Sequence, residues 1–208
     1  MPHTSQPMLQ ADDPPLVLAS QSTARAALLH AAGLRFEVRP ARIDEAAIKD
    51  ACRAEGLDPA DAALTLAEMK AQRIRDADAL VIGADQLLVC DGAWFDKPAD
   101  AAMARAHLQA LQGRPHTLVT AVVCRRGGRT IWQHVATPRL HMRPLSGAFL
   151  DAYLATEGDA ILSCVGAYRL EGRGIHLFDR IEGEHSAILG LPLLPLLGFL
   201  RQHGVLGG

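Results

Sequence analysis

Asp85 stands inside a run that is otherwise apolar, Ala79-Leu-Val-Ile-Gly-Ala-Asp-Gln-Leu-Leu-Val-Cys90. A carboxylate in the middle of a buried strand must be paired, hold a metal or cost free energy. Asp91-Gly92 follows at once, a two-residue hairpin signal because both central positions of that turn want positive φ. With those residues as the turn, Cys90 faces Ala93 and Gln86 faces Lys97. Lys97 is then expected diagonally beside Asp85. Taken alone, this is equally well a structural Asp–Lys pair.

Other polar residues fall at the ends of elements. Ser22 is a natural N-cap, and Arg25 then lies near the third helical position, where a cation opposes the helix dipole. That placement becomes favourable if an anion sits on the helix N-terminus, held by backbone N–H groups, Ser22 and Arg25. The alternative is an arginine whose head reaches into water. Glu45 opens a second helix behind Asp44. Lys70 flanks the apolar stripe of a third, and Glu171 lies in a glycine-rich loop. Three cations, two or three carboxylates and one helix N-terminus match what cleavage of a phosphoanhydride requires. Cations and N–H groups hold the phosphates, carboxylates hold a divalent metal, and one base serves the attacking water.

The elements that must position these residues read as an interleaved α/β chain. Leu16–Ala19 predicts a short buried strand, and Ser22 to Gly33 a helix with Gly33 just past its end. Phe36–Val38 continues as strand, Asp44 caps a helix, and Asp58-Pro59 starts another that runs to about Arg75. The latter's apolar face is expected at Leu64, Ala67, Ala71 and Ile74. Beyond the hairpin come a helix over Asp100–Gln112, a strand over His116–Cys124, its partner over Thr130–Arg139, and a helix from Ser146 to Gly158. Ala160–Val165 and Ile175–Ile181 read as strands, and Leu193–Gln202 as a closing helix. Helices interleaved with strands and at least one hairpin predict an α/β class with a mixed sheet.

At 208 residues the chain suits one domain, expected over residues 14–208 behind a disordered tail at 1–13. A net charge of −2 argues against a broad nucleic-acid face, while leaving room for a local cationic pocket. Cys52, Cys90, Cys124 and Cys164 show no metal-ligand spacing and read as small core residues of a reducing cytoplasm. The start carries no apolar signal segment, and Ile188–Leu200 is broken by Gly190, Pro192, Pro195 and Gly198, so no membrane role is expected.

Ala-Ser-Gln-Ser-Thr-Ala-Arg-Ala-Ala-Leu-Leu (19–29) resembles the Ala-Ser-x-Ser-Pro-x-Arg-x-x-Leu-Leu opening of the Maf family of nucleotide pyrophosphatases. Ile-Asp-Glu (43–45), Leu-Ala-Glu-Met-Lys-Ala (66–71), Gly-Ala-Asp-Gln (83–86), Lys-Pro (97–98) and His-Thr-Leu-Val-Thr (116–120) match further motifs in order. Gly-Ala-Tyr-Arg-Leu-Glu-Gly (166–172) and Gly-Leu-Pro-Leu (190–193) complete the series. The resemblance covers about residues 15–205. It implies an elongated mixed sheet flanked by helices, related to the inosine-triphosphate pyrophosphatases, with a cleft between two lobes. It implies hydrolysis of nucleoside triphosphates to monophosphate and pyrophosphate with a divalent cation (Mg, Mn or Co), in the cytoplasm, with a homodimer as the candidate assembly. The alternative it carries is a nucleotide-binding regulator of septum formation whose hydrolysis is incidental.

Carried over by position, Asp85 resembles the general base or water-orienting carboxylate, and Glu45, with Asp85, the metal partner. Ser22, Arg25, Lys70 and Lys97 resemble the family's phosphate contacts, Lys97 among the catalytic ones. The base-recognising positions depart from the common pattern. Thr23 and Ala24 replace Pro-Arg, Gln86 replaces Thr, and Glu171 replaces Gln. Gln86 and Glu171 are similar to the subgroup acting on 7-methyl-GTP, which carries Trp where this chain has Ala24. Glu171 is therefore expected as a buried carboxylate accepting from guanine, with Ala24 leaving out the stacking ring.

Overall fold

The computed structural model describes residues Leu9–Gly207. Its strands form a mixed sheet flanked by helices, in hydrogen-bonded order β2-β1-β3-β5-β7-β8, with β4 on β3 and β6 on β5. These are β1 (Leu16–Leu18), β2 (Glu37–Val38), β3 (Leu80–Cys90), β4 (Ala93–Phe95), β5 (Pro115–Arg126), β6 (Arg129–Ala136), β7 (Arg139–Met142) and β8 (Phe178–Glu182). The chain divides into two compact units. One holds the described residues up to Asp85, Ala121–Val135 and those from Gly190; the other holds Gln86–Thr120 and Ala136–Leu189.

In the first unit β1 pairs in parallel with both β2 and β3. Leu16, Val17 and Leu18 are all buried, as are Leu80, Val81 and Ile82 of β3, so both strands read as unbroken apolar runs and not as alternating ones. Helix α1 (Thr23–Ala31) begins where Ser22 Oγ accepts from the backbone N–H of Arg25, and Gly33 follows it at φ +73°. Helix α2 (Glu45–Ala54) is capped by Asp44 and α3 (Pro59–Gln72) by Asp58. Helix α7 (Leu193–Gln202) contributes Leu196, Phe199 and Leu200 to a core with Leu18, Leu29, Ile82 and Val122.

In the second unit Asp91 and Gly92 both take positive φ, 48° and 80°, and turn β3 into β4 with Cys90 opposite Ala93. The ladder ends at Leu88–Phe95, so the pairing does not extend to the expected Gln86–Lys97 match. Helices α4 (Ala101–Leu111), α5 (Gly147–Glu157) and α6 (His185–Ile188) accompany the antiparallel pairs β5–β7 and β7–β8. Its core gathers Leu88, Leu108, Leu118, Leu140, Leu150, Tyr153 and Leu177.

Three expectations need correction. Ala160–Val165 is not a strand: Gly158–Ser163 and Val165–Ala167 are 3₁₀ turns. Ile161 and Val165, four apart, are the residues buried there, and a short apolar run does not itself distinguish extended from helical backbone. The strand expected from Ile175 begins only at Phe178, behind a 3₁₀ turn over Arg173–Leu177. Helix α3 buries Ala62, Ala63, Leu66, Ala67, Lys70 and Ala71, a face rotated from the expected one and centred close to Lys70. The start expected as a tail at 1–13 falls largely on residues 1–8, outside the described residues. Gln10 is buried and bridges Leu206, its side-chain amide exchanging two hydrogen bonds with the Arg35 backbone.

Candidate active site

Helix α3 lies close enough to β3 for the two to share an ion pair, and one glycine makes that possible. A Cβ on Gly83 would stand 2.2 Å from the carbonyl oxygen of Ala67 and 2.9 Å from the Cβ of Ala71. Gly83 and Asp85 project from the same face of β3, because strand side chains alternate. The close approach therefore carries Lys70, one turn along from Ala67, onto Asp85.

Lys70 Nζ donates to Asp85 Oδ1 at 2.5 Å and lies 2.8 Å from Glu45 Oε1. The Lys70 and Asp85 side chains are 8% and 5% exposed, that of Glu45 35%. The ammonium on Asp85 is thus that of Lys70, where the expectation put Lys97. Lys70 itself, expected at the flank of an apolar stripe, is fully engaged between two carboxylates. Asp85 Oδ2 is buried and has no hydrogen-bond partner. An orphaned carboxylate oxygen in such a place costs free energy unless a water, a cation or a substrate meets it.

Arg25 is another buried cation of this unit. Its Nε donates to the Gly190 carbonyl at 2.7 Å and its Nη1 to Ser20 Oγ at 3.2 Å. Burial pulls the guanidinium below its ordinary value, and the nearby Asp85 and Glu45 carboxylates pull it back up. An arginine does not lose its proton in a protein, so the charge stays. Ser22 Oγ accepts from the Arg25 N–H at 3.3 Å, so its acceptor capacity is partly used in capping α1. Ala24 is half-buried in the first turn of that helix. Ser20, Ser22, Arg25, Glu45, Lys70 and Asp85 thus form one polar group within the first unit, two cations against two carboxylates.

Among the described residues no three His, Cys, Asp or Glu side chains form a metal cage. The donors present still suit a magnesium-like ion, which takes one or two carboxylates and leaves its other positions to water and substrate phosphates. Asp85, with its unpartnered Oδ2, and Glu45 are the carboxylates of this group.

The remaining expected site residues lie in the second unit. Gln86 Nε2 donates to Thr120 Oγ1 at 2.8 Å and to the carbonyls of Ala187 and Ile188 at 3.0 and 3.1 Å. Its amide nitrogen is therefore committed to the fold. Lys97 is exposed, and its charge acts on the Cys164 thiol, whose proton is held mainly by burial. Glu171 was expected buried; its side chain is 36% exposed and lies 3.4 Å from Arg169 Nε, because a glycine-rich turn holds it at the surface. Ser20, Gly83 and Gly190 fall inside the matched motifs, but the residue-by-residue reading assigned none of them a part in the site. A glycine inside a buried strand is itself a sign of close backbone approach, so Gly83 was legible in principle.

The family described as Maf-like protein matches residues 15–203. A protein of Granulibacter bethesdensis described as a nucleoside triphosphate pyrophosphatase is 58% identical over 193 residues, covering 92% of this chain and 98% of its own. One from Rhodospirillum rubrum with the same description is 51% identical, over 93% of this chain and 96% of its own. A protein of Rhizobium meliloti described as a 7-methyl-GTP pyrophosphatase is 49% identical, over 93% and 98%.

Proposed function

The chain belongs to the Maf family, and on that premise we propose that the polar group around Asp85 carries its phosphoanhydride chemistry. The protein is a hydrolase that cleaves nucleoside triphosphates to the monophosphate and pyrophosphate. One observation supports the assignment above the others. Lys70 is shared by Asp85 and Glu45 in a buried position, and the second oxygen of Asp85 is left without a partner.

In this reading Asp85 Oδ2 accepts a hydrogen bond from the attacking water and orients it towards the α-phosphorus. The new P–O bond forms as the bond to the bridging oxygen breaks; pyrophosphate carries away the electron pair, and the proton lost by the water passes to Asp85 Oδ2. Lys70 holds the Asp85 carboxylate in place through Oδ1. Arg25 and the N-terminus of α1 meet phosphate charge, which favours the transition state as charge shifts onto the leaving group. Asp85 and Glu45 would hold a divalent cation, Mg, Mn or Co. When bound, it would neutralise charge on the phosphate oxygens and lower the pKa of a water. Lys97 is proposed to act on phosphate charge, and Gln86 and Glu171 on the base, on the strength of their motif positions. The Gln86 amide nitrogen being spent leaves its oxygen as an acceptor, and Glu171 is an acceptor too. Both suit the N1–H and amino group of guanine, so GTP or its 7-methyl form is the proposed substrate.

Asp85→Asn tests the assignment. With GTP and Mg²⁺, the wild type should release GMP and pyrophosphate, and the variant should lose turnover by at least about a hundredfold. Undiminished turnover in a folded variant would remove Asp85 from the chemistry. Orthophosphate as first product would place the cleavage at the wrong bond. A nucleotide-dependent regulatory role would survive Asp85→Asn, whereas a catalytic one would not.

A further inference from the structure

We infer that Ser20 is a positioning residue for Arg25: its hydroxyl, with the Gly190 carbonyl, fixes the plane of the guanidinium so that one terminal nitrogen faces substrate phosphate. The inference rests on the reading that Arg25 meets phosphate.

Ser20 is the second residue after β1 and is only 6% exposed. Its Oγ accepts from two donors, the Ser22 backbone N–H at 3.2 Å and Arg25 Nη1 at 3.2 Å. The first bond ties the hydroxyl to the residue that caps α1, so the acceptor is itself held in place. On the other side of the guanidinium, Nε donates to the Gly190 carbonyl. A guanidinium is planar with its donors in a rigid fork, so two anchors on different nitrogens determine its orientation. Nη2 has no hydrogen-bond partner among the described residues.

The anchoring is tight on the Gly190 side. Gly190 takes φ +101°, and a Cβ there would stand 3.1 Å from Arg25 Nε and 3.4 Å from Nη2. A side chain would strain that backbone and push the guanidinium aside. Glycine thus lets the backbone reach the arginine, while Ser20 sets its rotation. A lysine at position 25 has no fork to be held in this way. Burial also argues for a dedicated anchor. An unheld guanidinium with little solvent around it would lose hydrogen bonds that water supplies elsewhere.

The test is a double-mutant cycle of Ser20→Ala and Arg25→Gln, read as kcat/KM for GTP with Mg²⁺ and as affinity for inorganic pyrophosphate by calorimetry. Ser20→Ala should lower kcat/KM about tenfold, since small misplacements of a contacting group are costly. In the Arg25→Gln background the same substitution should change neither quantity by more than about twofold, because Ser20 acts through Arg25. Ser20→Thr, which keeps the hydroxyl, should restore most of the loss. A merely structural serine would lower the melting temperature of both backgrounds alike and leave pyrophosphate affinity unmoved. An equal loss in both backgrounds, or native kcat/KM in Ser20→Ala, would overturn the inference. If Arg25→Gln itself left kcat/KM unchanged, the phosphate reading of Arg25 would fail, and this inference with it.

Discussion

Gly83 lies where a single Cβ would meet the Ala67 carbonyl oxygen at 2.2 Å. That approach is what allows the 2.5 Å contact between Lys70 and Asp85, since both pairs belong to the same strand and the same helix. Gly83→Ala cannot be absorbed by a rotamer change, because the obstacle is backbone. Helix α3 must shift, and overpacking of this kind costs about 1–3 kcal/mol. The expected outcome is a lower urea midpoint together with a reduced kcat in the fraction that remains folded. A variant that melts earlier yet keeps native kcat would show that the Lys70–Asp85 distance does not matter to turnover.

The buried ion pair makes a separate prediction about stability. Two charges out of water gain little net free energy over an apolar pair, but removing one partner strands the other. Lys70→Met leaves the Asp85 carboxylate buried without its ammonium, and a loss of about 3–5 kcal/mol is expected. Lys70→Met with Asp85→Asn removes the stranded charge, so much of that loss should return. Urea unfolding of both variants measures it. Equal instability of the single and double variants would mean that Glu45 or Arg25, not Lys70, governs the charge balance here.

His116 supplies a pH dependence in the second unit. It is 2% exposed, its Nε2 lies 2.9 Å from the Tyr168 hydroxyl, and its ring packs against Phe178. Burial lowers its pKa from 6.5 to about 4, His141 adding to the effect and the Arg114 backbone opposing it. Between those values the unfolded chain binds a proton that the folded chain does not. The stability this represents is therefore complete above pH 6.5 and falls as pH drops towards 4, by about 3 kcal/mol at most. His116→Gln does not titrate, so its unfolding free energy should fall by correspondingly less from pH 7 to pH 4. Parallel curves for wild type and variant would contradict the burial argument.

The readable and unreadable parts of this chain differ in the kind of physics that determined them. Ser22, Asp44, Asp58, Asp100 and Ser146 announced helix starts because a cap is a local contact between residues two or three apart. Asp91-Gly92 announced its turn because positive φ is a property of single residues. The burial of Lys70 is not legible locally, because what buries a helix face is whatever packs on it, here a strand brought close by Gly83. Residues 160–165 do not declare their backbone, because their apolar content suits strand and 3₁₀ turn alike. The contact of Ser20 is not legible in the motif that contains it, because its partner Arg25 is five residues on and the anchoring depends on Gly190, 165 residues from Arg25.

The last prediction concerns the base. Glu171 is an acceptor at the surface, 36% exposed and beside Arg169, and not the buried carboxylate that was expected. A carboxylate with access to water can rehydrate when it finds no donor, so a pyrimidine acceptor edge is penalised towards the low end of the usual range, about 1 kcal/mol. GTP should therefore exceed UTP in kcat/KM by about fivefold to tenfold, not more. Glu171→Gln should narrow that ratio by offering UTP a donor. Ala24 is half-buried at the start of α1 and presents no ring, so methylation at N7 should add little in the wild type. Ala24→Trp should raise the preference for 7-methyl-GTP over GTP by about twofold to tenfold, as a cation on an aromatic face gains about 0.5–1 kcal/mol or more. Competition assays with paired substrates give all three ratios directly. Should UTP prove the best substrate of the wild type, Glu171 does not read the base.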